Sequence, residues 1–164
     1  RPKAGALLLE DNFERKELGK QWRLRIGSFA IRDGVLVGTE VQPELVPRTI
    51  DEYPVLFVAA ALAKGQTRFR KVGELRFNDS DRFGTMKREL SKMGVTVDVC
   101  RYDVVIQGDT VLKSVSVESH DDHRVAMALT VAGLSTPGGI VLSGEECVRV
   151  SFPGFFEALA KIRG

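Results

Sequence analysis

The sequence predicts an α/β fold in which helices cover one face of the sheets. Two observations predict it. From about Gln42 onward, stretches with helical apolar spacing alternate with short strand-like runs. The order helix, strand, helix, strand, strand from Glu52 to Gln107 is then partly repeated from Val111, as strand, helix, strand, helix. A chain of 164 residues, 43% hydrophobic and 28% charged, is long enough to bury a core of its own.

The organisation divides into a β-rich segment, residues 1–40, and an α/β domain, residues 41–164. In the first segment the run Leu7-Leu8-Leu9 ends in Glu10-Asp11-Asn12, and Phe29-Ala30-Ile31 and Val35-Leu36-Val37 flank Asp33-Gly34. Asp-Gly between two apolar runs is the pair that two-residue hairpin loops favour. In the second segment Glu52 to Lys64 reads as a helix. Thr49 and Glu52 stand at capping-box spacing, Pro54 falls in the first turn and Gly65 follows as a stop. Its faces are apolar nearly all round, which predicts burial.

Gln66 to Val72 reads as a strand, and Asp81 to Met93 as a helix with Phe83, Met86, Leu90 and Met93 on one face, a charged opposite face and Gly94 past its end. Val95 to Cys100, Tyr102 to Gln107 and Val111 to Val117 read as strands, with a turn at Gly108-Asp109. A helix from near Asp121 to Leu134 stops at Ser135-Thr136-Pro137-Gly138-Gly139. Ile140 to Ser143 is a strand, and Phe155 to Ile162 an amphipathic helix.

Composition removes several function classes. The longest strongly apolar run, Val55 to Ala63, is far shorter than the roughly 20 residues a membrane-spanning helix needs. The net charge is +2, with eight basic against six acidic residues through Val41 and sixteen against sixteen afterwards. Such a surface gives nucleic-acid binding little support, and any anion site must be built locally. Cys100 and Cys147 form no CxxC pattern, and they read as buried small hydrophobes in a reducing, cytoplasmic setting. The chain opens on Arg1, which reads as a fragment, a processed product or an incompletely sequenced gene.

Three helix starts carry polar groups where exposed N–H groups favour anions. Asp51 precedes the first helix, Asn78-Asp79-Ser80-Asp81-Arg82 the second, and Ser119-His120-Asp121-Asp122-His123-Arg124 the third. Arg82 and Arg124 would each add a bidentate donor for phosphate or carboxylate. On the plainer reading Asp51, Asp79 and Asp121 are caps and the arginines are paired at the surface. His120 and His123 lack a third ligand at recognisable spacing, so no metal is expected.

Four segments in this order, Leu45 to Pro54, Glu74 to Arg82, Asp122 to Met127 and Ser151 to Phe156, resemble the C-terminal part of the EPSP synthase family, the 3-phosphoshikimate 1-carboxyvinyltransferases. The resemblance implies a partial inside-out α/β barrel of βαβαββ units. It also implies transfer of the enolpyruvyl group of phosphoenolpyruvate to the 5-hydroxyl of shikimate 3-phosphate, with release of phosphate, on the way to aromatic amino acids. No cofactor and no metal are implied. By position, Asp51 matches the carboxylate that contacts shikimate 3-phosphate and serves as proton acceptor. Arg82 and Arg124 match arginines that hold phosphoenolpyruvate, with His123 beside them. A related transferase acting on UDP-N-acetylglucosamine shares the fold, and Asp122-His123-Arg124 favours the shikimate branch.

In the second segment Asn78 stands where the family has a lysine that charges the phosphoenolpyruvate site, and Asp79 where it has a glutamate proton donor. Asn78 is neutral and Asp79 one methylene short. A misplacement of about 1 Å can cost on the order of 100-fold in rate. Weakened or absent catalysis is the expectation, with recovery on Asn78→Lys plus Asp79→Glu. The family's cleft also needs an N-terminal domain, whose motifs residues 1–40 lack. Residues 7–40 instead look like the start of a concanavalin-like sandwich of the 3-keto-disaccharide hydrolase kind; the alternative is that Phe29 to Glu40 is a divergent stretch of the family's barrel, where a hairpin is expected just before the Leu45-to-Pro54 segment. Two other readings therefore stay open here: an inactive remnant or fusion with a vestigial anion site, and a sugar-binding or sugar-hydrolysing protein.

Overall fold

A computed structural model describes residues 29–32, 35–38, 40–41, 50–72 and 81–163. The elements run β1 (Phe29–Arg32), β2 (Val35–Gly38), β3 (Glu40–Val41), α1 (Tyr53–Leu62), β4 (Gln66–Phe69), α2 (Arg82–Lys92), β5 (Val97–Cys100), β6 (Asp103–Gln107), β7 (Ser116–Glu118), α3 (His123–Leu134), β8 (Val141–Ser143) and α4 (Phe155–Arg163). β3-α1-β4-α2-β5-β6 is one βαβαββ unit, and β7-α3-β8-α4 begins a second. The expected α/β class and repeat are both present, and the short strand β3 supplies the unit's first element.

β1 and β2 pair antiparallel with Arg32 opposite Val35, the strand pairing expected on either side of Asp33-Gly34, which itself lies outside the described residues. The main sheet has the order β3-β4-β6-β5, with β3 parallel to β4 and the other pairs antiparallel. β7 and β8 form a separate parallel pair. Along β4, Thr67 and Phe69 are buried while Gln66 and Arg68 are exposed, the period-2 alternation of a sheet with one covered face.

The expected stripe of α2 is the buried one: Phe83, Met86, Leu90 and Met93 all lie in the core. The expected burial of α1 also holds, through Tyr53, Pro54, Phe57, Val58, Ala60 and Ala61. α3 packs against α1, and both helices bury small side chains, Ala128 and Ala132 of α3 and Ala60 and Ala61 of α1. An aromatic cluster fixes the ends of these helices. The Tyr53 ring, first in α1, lies 5.5 Å from Phe83 in the first turn of α2, and Phe57 lies 4.8 Å from Phe69 of β4. Such tilted pairs add roughly 0.5–1.5 kcal/mol each beyond their burial. They clamp the starts of α1 and α2 side by side.

Four expectations are corrected. Residues 111–115 are not a strand: the chain crosses irregularly past the end of α2, where Lys113 N–H donates to Met93 O. Cys100 is exposed rather than buried, because β5 turns Val97 inward and leaves its last residue on the outer side. α1 begins at Tyr53 and not Glu52, because a short 3-10 turn, Ile50–Glu52, leads into it; Glu52 makes no side-chain cap, and Thr49, the other residue of the expected capping box, lies outside the described residues. The third helix starts at His123, capped by Asp122 and not Asp121, since His120 and Asp121 both take left-handed backbone (φ 52° and 59°).

The Gly108-Asp109 turn docks on the C-terminal end of α1. Gly108, Asp109 and Thr110 N–H groups donate to the carbonyls of Gly65, Ala63 and Ala61 at 2.8–3.1 Å, and Asp109 accepts from Gly65 N–H. A Cβ on Gly108 would overlap the backbone oxygens of Ala63 and Gly65, which cannot move without breaking this lattice. Gly108→Ala is expected to cost about 3 kcal/mol, read as a lowered urea midpoint.

Candidate functional site

The starts of α1, α2 and α3 meet at one place, and each brings an ionised side chain there. Asp51 sits in the 3-10 turn before α1, Arg82 is the first residue of α2, Asp122 is the N-cap of α3 and Arg124 its second residue. Arg82 Nη1 donates to Asp51 Oδ1 at 2.8 Å, and Arg124 Nη2 lies 3.0 Å from Asp51 Oδ2. One carboxylate thus holds two guanidiniums. Arg82 Nε donates to Asp122 Oδ2 at 2.5 Å, while Asp122 Oδ1 accepts the N–H groups of Arg124 and Val125. Asp122 therefore caps α3 with one oxygen and orients Arg82 with the other.

Burial separates the permanent contacts from the exchangeable ones. Asp122 is 8% exposed, whereas Asp51 is 42% and Arg124 34% exposed. Burial works to raise the Asp122 carboxyl, but the Arg82 guanidinium and the helix N–H groups outweigh it and hold the group below its ordinary range. Burial likewise works to lower Arg82, and Asp122 and Asp51 together keep it above its ordinary value. Two carboxylates balance two guanidiniums in this quartet. An incoming anion can replace Asp51, the more exposed acid, without disturbing Asp122.

Asp51, Arg82 and Arg124, the residues expected from three separate helix starts, are brought together. His123 is half-buried at the first position of α3 and does not join the network. Asn78 and Asp79 lie outside the described residues. The plainer reading of Asp51 and Asp121 as caps is corrected: Asp51 takes the arginines, and the caps are Asp81, which accepts from Gly84 N–H, and Asp122. Among the described residues no group of three or more His, Cys, Asp or Glu side chains is arranged to hold a metal. Among the same residues no helix is long and apolar enough to cross a membrane.

Sequence spacing missed Glu89. Assigned to the charged face of α2, it is fully buried, with Lys92 Nζ at 2.7 Å, Glu118 N–H at 3.1 Å and the His120 ring at 3.3 Å. Its signal was available, since position 89 is three after Met86 and four before Met93, on the apolar stripe. Burial pushes its carboxyl up, and the bonds from Lys92, Glu118 N–H and His120 bring it below its ordinary value.

Glu89 and Asp122 together set an acid limit. Both carboxyls are held lower in the folded state than the ordinary values of 4.5 and 3.8, so the stability they add is complete above those values and is lost as pH falls through the folded ones. Urea midpoints are expected to be flat from about pH 7 to 5 and to fall as the pH drops below about 4.

The chain is similar to proteins of one kind. A family model described as EPSP synthase (3-phosphoshikimate 1-carboxyvinyltransferase) matches residues 16–159. The 3-phosphoshikimate 1-carboxyvinyltransferase of Pelotomaculum thermopropionicum is 46% identical over 130 residues, covering 79% of this chain and 30% of that protein. That of Gloeobacter violaceus is 43% identical over 138 residues, 84% of this chain and 32% of the relative. Among solved structures, an EPSP synthase from Acinetobacter baumannii superposes with a TM-score of 0.73 at 34% identity, over 83% of this chain and 35% of that one. The enolpyruvyl transferase NikO from Streptomyces tendae, at 23% identity, covers 77% of this chain and 28% of its own, and shares the fold with a TM-score of 0.59. This chain spans about a third of the length of the curated relatives it matches. The family match takes in residues 16–40, and the concanavalin-like reading of that segment finds no support.

Proposed function

The chain belongs to the EPSP synthase family, and we propose that it forms the part of a 3-phosphoshikimate 1-carboxyvinyltransferase that holds phosphoenolpyruvate. The single observation that carries this reading is Asp51 bridging Arg82 and Arg124 at three converging helix starts. Two guanidiniums side by side suit an anion that bears both a carboxylate and a phosphate. The partners are phosphoenolpyruvate, shikimate 3-phosphate and an N-terminal domain that closes the cleft; the setting is cytoplasmic.

In this reading phosphoenolpyruvate takes over the outward N–H groups of Arg82 and Arg124, and the displaced Asp51 carboxylate turns to the 5-hydroxyl of shikimate 3-phosphate. Asp51 accepts the hydroxyl proton as the oxygen bonds to C2 of phosphoenolpyruvate, and the methylene carbon receives a proton from Asp79. Asp79, left as a carboxylate, takes a proton back from the new methyl group as phosphate departs, which restores the double bond, and the phosphate carries away the proton held by Asp51. Asp122 holds Arg82 throughout, His123 flanks the site, and Asn78 leaves the phosphoenolpyruvate charge to the arginines. Phosphate release by the complete polypeptide, measured with both substrates, tests the reading. Asp51→Asn is expected to lower kcat by on the order of 100-fold or more without raising KM for phosphoenolpyruvate, since it removes the carboxylate that competes for Arg82 and Arg124. Equal kcat in wild type and variant contradicts the assignment of Asp51 as base.

A further inference from the structure

We infer that Glu89 is a positioning residue for the anion site, acting from beneath it through Asp122; the inference rests on the proposed reading of that site. Nothing in the chemistry above uses this carboxylate, yet it is fully buried and ties α2 to the segment leading into α3. Its Oε2 accepts the N–H of Glu118, the last residue of β7, and its Oε1 faces the His120 ring. Arg88 Nη1 lies 3.3 Å from the same ring nitrogen, Nε2, which serves one partner at a time, donating to Glu89 when it carries a proton and accepting from Arg88 when it does not.

Between Glu118 and Asp122 the chain makes an unfavourable turn. His120 and Asp121 are consecutive non-glycine residues in left-handed backbone, a conformation that persists only where the surroundings over-determine it. Those surroundings are few and identifiable. Ser119, also fully buried, donates its N–H to Ser143 O and its hydroxyl to Gly144 O, and its Oγ accepts the N–H of Asp121. Ser119 fixes one side of the turn to β8, and Glu89 fixes the other side to α2. The turn ends at Asp122, whose two oxygens must meet the α3 amides and Arg82 together. α2 thus carries Arg82 at its start and, two turns on, the carboxylate that places the acid holding Arg82.

The test compares Glu89→Leu with Glu89→Gln in the complete polypeptide. Glutamine keeps an acceptor for Glu118 N–H, and leucine does not. Amide hydrogen exchange reads the turn directly, independent of any substrate. In Glu89→Leu the amides of Glu118, Arg124 and Val125 are expected to exchange about tenfold faster relative to core amides of α1, and Glu89→Gln to restore most of the protection. Uniform acceleration of all amides, or none at Arg124 and Val125, overturns the inference. A KM for phosphoenolpyruvate that rises several-fold in Glu89→Leu at nearly unchanged kcat, and does not rise further when Asp122→Asn is already present, supports action through Asp122. A full additional rise in that background overturns it. If wild-type protein does not bind phosphoenolpyruvate, the reading of the site fails while the exchange experiment still decides the role of Glu89.

Discussion

Replacing Arg82 by alanine in the complete polypeptide is expected to lower kcat/KM for phosphoenolpyruvate by on the order of 100- to 1,000-fold. The side chain spans two acids, with Nε on buried Asp122 and Nη1 on the half-exposed Asp51. Alanine removes the cation that, on the proposed reading, would face the substrate phosphate or carboxylate, and releases Asp51 from one of its two partners. Arg82→Lys is a sharper probe, because an ammonium retains the charge but cannot span both acids with a planar fork. It is expected to recover only a small part of the loss. Steady-state rates with phosphoenolpyruvate varied and shikimate 3-phosphate saturating give both values, and wild-type kinetics in Arg82→Ala would place the anion elsewhere.

The second large effect is on stability. Asp122→Ala is expected to cost about 3 kcal/mol, of which about 1 is the lost N-cap and the remainder the half-buried Arg82 guanidinium deprived of this partner and left with Asp51. Asp122→Asn separates the two. Asparagine caps a helix nearly as well as aspartate, so it should recover the cap share and leave the charge share missing. Urea unfolding of the two variants at pH 7 gives the division, and equal midpoints for alanine and asparagine would mean the cap contributes nothing.

The parts of the fold set by local pattern were legible. Phe83, Met86, Leu90 and Met93 repeat at helical spacing and form one buried stripe, and Asp33-Gly34 specifies a two-residue hairpin whatever lies around it. Features that depend on distant partners were not. The place of Glu89 on the apolar stripe of α2 was a local sign of its burial, but the groups that make that burial tolerable, the amide of Glu118 and the ring of His120, lie far along the chain and had none. The start of α3 shifted from near Asp121 to His123 because two left-handed residues precede it, and that strain is imposed by Ser119 and its contacts to β8. β3 is two residues long and is defined by its parallel neighbour β4, which no local signal announces.

The candidate site divides in the same way. Polar helix starts were visible one by one, since an acid or arginine near exposed N–H groups is a local sign. Their convergence was not, because it is set by the Tyr53–Phe83 ring contact and the packing of α3 on α1. The resemblance of four ordered segments supplied the grouping of Asp51, Arg82 and Arg124 before the geometry did. It gave no hint that Asp122 serves a cap and an arginine at once.

The central claim is that Arg82 and Arg124 are held side by side to share one phosphoenolpyruvate anion. Calorimetric titration of phosphoenolpyruvate, in the presence of shikimate 3-phosphate, into the complete polypeptide and its Arg82→Ala, Arg124→Ala and doubly substituted forms measures this directly. The account predicts that each single change weakens binding at least about tenfold and that the double change costs clearly less than the sum of the two, as expected for groups sharing one ligand. Undiminished binding in both single variants would contradict it.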